Sequence, residues 1–109
     1  MSSKLFLTGQ NTIFLVEVGE IIFCKSDNCY TSLYLLTGKC HVIAKSLTKL
    51  NLELSPTEFI RVHQSYLVNK KHIRSIDKKK KIIRLLNDYD IPFSGPLKPL
   101  LNSILKVEK

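Results

Sequence analysis

The chain has 109 residues and a formal net charge of +8, from 17 Lys plus Arg against 9 Asp plus Glu. That length leaves room for one domain around one core. No apolar run approaches the ~20 residues of a membrane-spanning helix, and MSSKLFLTGQ holds too short an apolar stretch for a secretory signal, so a cytoplasmic protein is expected.

In chain order, Leu5 to Thr8 reads as a first strand, broken at Gly9-Gln10-Asn11. Ile13 to Val18 alternates as a second and stops at Gly19. Glu20 to Cys24 is a compact apolar run expected as a buried strand, with Lys25 to Cys29 as a polar turn. Tyr30 to Leu36 then alternates, with Thr31, Leu33 and Leu35 on one face. Thr37-Gly38-Lys39 marks a hairpin, and Cys40 to Ala44 pairs back. At Ser46 the period changes: Leu47, Leu50 and Leu54 recur at helical spacing, with Ser46 as cap and Ser55-Pro56 as stop.

Phe59 to Ile76, FIRVHQSYLVNKKHIRSI, follows. It opens as a strand with Ile60 and Val62 on one face and Phe59, Arg61 and His63 on the other. Its polar middle, His63 to Asn69, is expected to coil into one turn, with Asn69, Lys70, Lys71 and His72 reaching water. Arg74-Ser75-Ile76 and Lys81 to Leu86 read as strands around a lysine-rich turn at Lys78 to Lys80. After the turn Asn87 to Asp90 comes a short strand, Ile91-Pro92-Phe93. Leu97, Leu100, Leu101, Ile104 and Leu105 stripe a terminal helix that tolerates Pro96 and Pro99 near its first turn. Alternating strands with little helix argue for a mainly β domain rather than a helix-turn-helix.

Charge is concentrated as well as abundant. Nine cations (Arg61, Lys70, Lys71, Arg74, Lys78, Lys79, Lys80, Lys81, Arg84) fall in one segment, opposed only by Asp77. Such clustering favours a polyanionic partner over a merely solvated face. No basic amphipathic helix accompanies it, which argues against an anionic membrane. Cys24-x4-Cys29 with Cys40-His41 invites a zinc reading. Adjacent strand residues point to opposite faces, however, so buried or edge thiols are expected and no metal. His63 has no nucleophile, carboxylate pair or phosphate loop beside it, so no enzyme site is expected. Its ring is expected to bond to backbone and order the loop that holds Gln64.

The central segment resembles the signature of LytTR-type DNA-binding domains of bacterial transcription regulators. Phe59, Arg61, Val62, His63, Ser65, Tyr66, Leu67, Val68 and Asn69 fit that pattern in register, with Ile73 downstream. The resemblance implies stacked small antiparallel sheets that reach double-stranded DNA through loops and turns in the major groove. It also implies a transcription regulator, either stand-alone or the output domain of a response regulator. Further implied partners are a second copy on direct-repeat sites and a receiver domain outside this chain; no cofactor is implied.

By resemblance Gln64, with Ser65 beside it, takes the polar slot used for DNA contact. A carboxamide suits the adenine N6/N7 edge. Lys25, Ser26, Asn28 and Tyr30 lie in what looks like the family's second DNA-facing loop, with Lys25 where an acid is common. Core packing is the alternative for Tyr30, and holding the turn is the alternative for Ser26 and Asn28. Arg61, Lys70, Lys71 and Lys98 are candidates for phosphate contact. At Ser94-Gly95-Pro96 many relatives carry arginine after the serine, and that contact does not carry over. Either the extra lysines supply affinity, or this is a degenerate relative acting as an interaction or dimerisation module with weak DNA binding.

Overall fold

Apolar alternation in the amino-terminal half pairs strands antiparallel. The computed structural model describes residues 4–8 and 11–105; the expected break at Gly9-Gln10 and the helix end expected at Lys106 lie outside them. β1 (Lys4–Thr8) and β2 (Ile13–Glu17) form a two-stranded ribbon with Leu5 opposite Val16 and Leu7 opposite Phe14. One face of the ribbon buries Leu7 and Val16, while Phe6, Ile13 and Leu15 point out. Val18 does not extend β2 as expected. It opens a 3-10 turn, Val18–Glu20, and stays buried. The Gly19 carbonyl in that turn accepts from His72 Nε2 at 2.7 Å, which fixes the direction of the chain.

A five-stranded antiparallel sheet carries the middle of the chain. Its strands are β3 (Ile21–Asp27), β4 (Tyr30–Leu35), β5 (Cys40–Ile43), β6 (Phe59–His63) and β7 (Tyr66–Asn69), in the order β5-β4-β3-β7-β6. A register shift between Ile21 and Phe23 lets Ile22 and Phe23 face one side while Ile21 and Cys24 face the other. Both faces are therefore apolar, and both are covered. On one side the β1–β2 ribbon and α1 (Leu47–Glu53) close over Ile21, Cys24, Leu33, Phe59 and Leu67. On the other lies a second sheet, β8 (Ile73–Asp77), β9 (Ile82–Leu85) and β10 (Asp90–Pro92), with α2 (Leu97–Leu105). Ile83, Leu85, Ile91, Phe93 and Leu100 from that layer pack on Ile22, Phe23, Val62 and Val68.

Helix ends obey local chemistry. Ser46 Oγ accepts the Lys49 N–H at 3.1 Å, as the sequence predicts for a cap. Pro99 is harmless in the first turn of α2, where backbone N–H groups have no partner within the helix.

Three further expectations change. Lys25, Ser26 and Asp27 belong to β3 rather than to a turn. They pair with Ser32, Thr31 and Tyr30, because ladder bonds use backbone whatever the side chain. The loop shrinks to Asn28-Cys29, with Asn28 at a left-handed φ of 58°. Likewise, between His63 and Asn69 only Gln64-Ser65 turn. Tyr66, Leu67 and Val68 are held extended by pairing with Lys25, Cys24 and Phe23. Finally, Asn69 and His72 are buried rather than wet. Asn69 Nδ2 donates to Ile21 O at 3.0 Å, and its Oδ1 accepts the Lys71 N–H at 3.2 Å. An amide that meets a strand carbonyl and a turn N–H satisfies both groups without water.

Cys24 lies in the core, where burial pushes its thiol far above the ordinary range; Cys29 and Cys40 are exposed. Among the described residues no His, Cys, Asp and Glu cluster has metal-binding spacing, and no helix is long and apolar enough to cross a membrane.

Candidate nucleic-acid interface

Antiparallel order brings two hairpin tips to one end of the central sheet. β3 and β7 are neighbours, with Lys25 opposite Tyr66, so the 28–29 and 64–65 turns project side by side. The Ser26 N–H donates to Ser65 O at 2.9 Å and joins them directly. Lys25, Asn28, Tyr30 and Gln64 are exposed there, while Ser26 and Ser65 are half-buried. Tyr30 is 53% exposed, which settles against its packing in the core. Asp27, the last residue of β3, places a carboxylate next to the 28–29 turn.

The Gln64 turn is braced from beneath. Arg61 donates through Nε to His63 O at 3.2 Å, through Nη2 to Gln64 O at 2.5 Å, and through Nη1 to Thr48 Oγ1 at 3.2 Å. A planar fork of five N–H donors suits three acceptors fixed in space. His63 Nδ1 accepts the Ser65 N–H at 3.0 Å, as expected of a ring that orders this loop, and the ring meets Tyr66 edge-on at 5.5 Å. The turn thus presents the Gln64 carboxamide on a backbone held at three successive residues.

Comparison with known proteins places this arrangement. The model of the LytTr DNA-binding domain matches residues 11–106. The chain belongs to the LytTR family. This family is one of DNA-binding regulator domains and not of enzymes. The chain is 33% identical over 69 residues to an uncharacterized response regulatory protein of Vibrio cholerae, covering 61% of this chain and 25% of the relative. To the CO-responsive transcriptional regulator RcoM of Rhodospirillum rubrum it is 31% identical over 71 residues, 65% of this chain and 29% of RcoM. To the transcriptional regulatory protein LytR of Staphylococcus aureus it is 31% identical over 64 residues, 59% of this chain and 26% of LytR. It therefore spans between a quarter and a third of the length of these curated relatives. The solved LytTr domain of a protein described as a methyl-accepting/DNA response regulator, from Bacillus cereus, shares the fold. Its TM-score is 0.77 at 21% identity, with 94% of this chain and 96% of that one covered.

The remaining candidates of this LytTR domain are dispersed. Lys70 and Lys71 follow β7, so they sit at the opposite end of the β6–β7 hairpin from Gln64, roughly 13 Å along the strand. Lys70 Nζ donates to Pro56 O at 3.1 Å, and the Lys71 side chain lies against Gly19. Lys98 is exposed in the first turn of α2, just after the 94–96 loop. That loop lies at the edge of β6, where the Ser94 N–H donates to Val62 O at 2.9 Å. Thr48 was not singled out from sequence. Its partner Arg61 is 13 residues away, and no local pattern announces such a bond.

Proposed function

We infer that this LytTR domain binds double-stranded DNA sequence-specifically, as the DNA-reading part of a bacterial transcription regulator. The supporting observation is the paired hairpin tips. Gln64, Asn28 and Tyr30 offer uncharged donors and acceptors at the sheet end, with Lys25 beside them. Two adjacent turns make a blunt edge that enters a major groove ~12 Å wide. Gln64 reads a base edge, the natural match being adenine N6/N7. Lys25, Ser26 and Ser65 hold phosphates, and Lys98 reaches the backbone from α2. Arg61 acts mainly through the turn it braces. Two copies side by side on a direct repeat and a receiver domain in the same polypeptide complete the reading. Relatives named as response regulatory and transcriptional regulatory proteins support it.

A second reading has one observation in its favour. The outer face of the β1–β2 ribbon leaves Phe6, Ile13 and Leu15 at 67%, 64% and 58% exposure. An apolar strip of this kind suits a protein partner, as in an interaction module with weak DNA binding. Gel-shift titration against duplexes selected from a random pool, with scrambled duplexes as competitors, separates the two. Equal affinity for every sequence, or none at moderate salt, sinks the regulator reading.

A further inference from the structure

A second group of cations reaches the sheet end that carries Gln64, by a route that does not involve the signature turn. β8 starts at the far end and runs back, so the four-residue turn 78–81 joining it to β9 lies beside the 94–96 loop. Two backbone bonds fix that placement: Phe93 N–H donates to Lys81 O at 3.1 Å, and Ser94 N–H donates to Val62 O at 2.9 Å. Lys81 and Val62 thus flank one segment and stand roughly 10 Å apart, two strand spacings. Val62 is two residues from Gln64.

The turn itself is pre-shaped. Asp77 Oδ1 accepts the N–H groups of Lys79 and Lys80, both at 3.0 Å, so the acid within the basic segment is occupied as a cap. Lys81 adopts φ 57°, where glycine is the usual residue. Its Nζ donates to Gly95 O at 2.5 Å and lies 5.3 Å from the centre of the Phe93 ring. A lysine in a left-handed conformation, with its ammonium tied to the next loop, fixes the turn to that loop. Lys78, Lys79 and Lys80 remain exposed. Lys4, Lys45 and Arg84, by contrast, are held in ion pairs.

We propose that Lys78, Lys79 and Lys80 form a second phosphate-binding station for duplex DNA, held at a set distance from the Gln64 turn by Lys81. The proposal rests on the DNA-binding reading above. A major groove ~12 Å wide is walled by two phosphate backbones. When Gln64 enters the groove, the lysine turn, whose Lys81 end lies roughly 10 Å from β6, stands to one side over one wall. Lysine is a point charge on a flexible stem, suited to phosphates whose angular position varies with sequence. The station adds affinity and orientation without reading bases.

The test uses the full chain and a duplex selected from a random pool. Lysine acylation of the parent, free and bound, is mapped by mass spectrometry, with strong protection expected at Lys78, Lys79 and Lys80 and none at Lys39, which lies at the far end of the sheet. In parallel, the Lys78→Gln/Lys79→Gln/Lys80→Gln variant is titrated across salt, with its melting temperature checked. Each phosphate contact contributes ~0.9 to the slope of log K against log salt. A slope shallower by about 1 to 3 is expected, with preference among duplexes retained. Unprotected lysines in the bound parent, or a folded variant whose slope changes by less than ~0.9, overturns the station while leaving DNA binding by the parent intact. A parent that binds no selected duplex overturns the DNA-binding reading itself, and the station with it.

Discussion

Arg61 separates two ways in which a cation serves an interface. In sequence it is one of several candidates for phosphate contact. In the structure three of its five N–H donors bond within the protein, to His63 O, Gln64 O and Thr48 Oγ1. Arg61→Lys keeps the charge and removes the fork, because an ammonium on a flexible stem cannot span three fixed acceptors. The two carbonyls lie near the surface, so water replaces most of what is lost, and each bond contributes about 0.5–1.5 kcal/mol. With the fork gone, a competent shape lying about 1.4 kcal/mol above its alternatives is populated about one-tenth of the time, which weakens specific binding about tenfold. Non-specific binding depends on charge and stays within a factor of about two. Competition titrations of selected against scrambled duplexes, at several salt concentrations, read both quantities together. The expected result is an unchanged salt slope with a tenfold smaller specificity ratio, accompanied by a small fall in melting temperature. If Arg61→Lys retains full specificity, the brace does not govern the turn. If Arg61→Ala lowers the slope by ~0.9, Arg61 contacts phosphate after all.

Other consequences are as open to measurement. Gln64→Ala should reduce discrimination between the best site and a point-mutated site by ~1–3 kcal/mol, with non-specific affinity intact; equal discrimination by a folded variant removes Gln64 from base reading. Lys70→Ala/Lys71→Ala should alter the salt slope less than Lys25→Ala, because Lys25 stands at the hairpin tips, and the reverse ranking would put the far end of the sheet on DNA. Asn69→Ala strips a buried carbonyl and a turn N–H of their partners, so denaturant titration should show about 2–4 kcal/mol lost; a loss below ~0.5 kcal/mol would mean that water replaces both bonds. Thiol labelling of the native chain should modify Cys29 and Cys40 quickly and Cys24 only on unfolding. The folded Cys24 thiol is raised above its unfolded value of 9.0 by burial. Its contribution is therefore complete below about pH 9 and lost above it, at up to ~1.4 kcal/mol per pH unit, and a flat alkaline stability curve would contradict that.

Most of the strands were legible because apolar residues alternate where one face is buried, as from Tyr30 to Leu35 and at Ile82–Leu85. The central β3 was legible only in part. Ile21 to Cys24 reads as buried strand, but the polar Lys25-Ser26-Asp27 looks like a turn unless one knows that β4 and β7 flank it. The same partner strand keeps Tyr66 to Asn69 extended, and a pairing between residues 45 apart leaves no local trace. Asn69 shows the limit for side chains: next to two lysines it reads as wet, yet it is buried by Ile21 from a distant strand. At the interface, the family resemblance pointed to Gln64 and Tyr30. Which cations share their end of the sheet was decided by strand direction, which sends Lys70 and Lys71 away and brings the 78–81 turn back.

β3 also orders events in time. It is flanked by β4, the next strand made, and by β7, whose Asn69 reaches Ile21 across 48 residues. A ribosome adding ~5–20 residues per second takes several seconds to pass from the first partner to the second. Throughout that interval one edge of β3 shows a row of unpaired backbone groups along the apolar run Ile21-Ile22-Phe23-Cys24. An open apolar edge of this kind recruits strands from other chains. Helix α1 can form meanwhile, but it covers one face and not the edge. This chain is most exposed to aggregation while it is being made, before Tyr66 has left the ribosome.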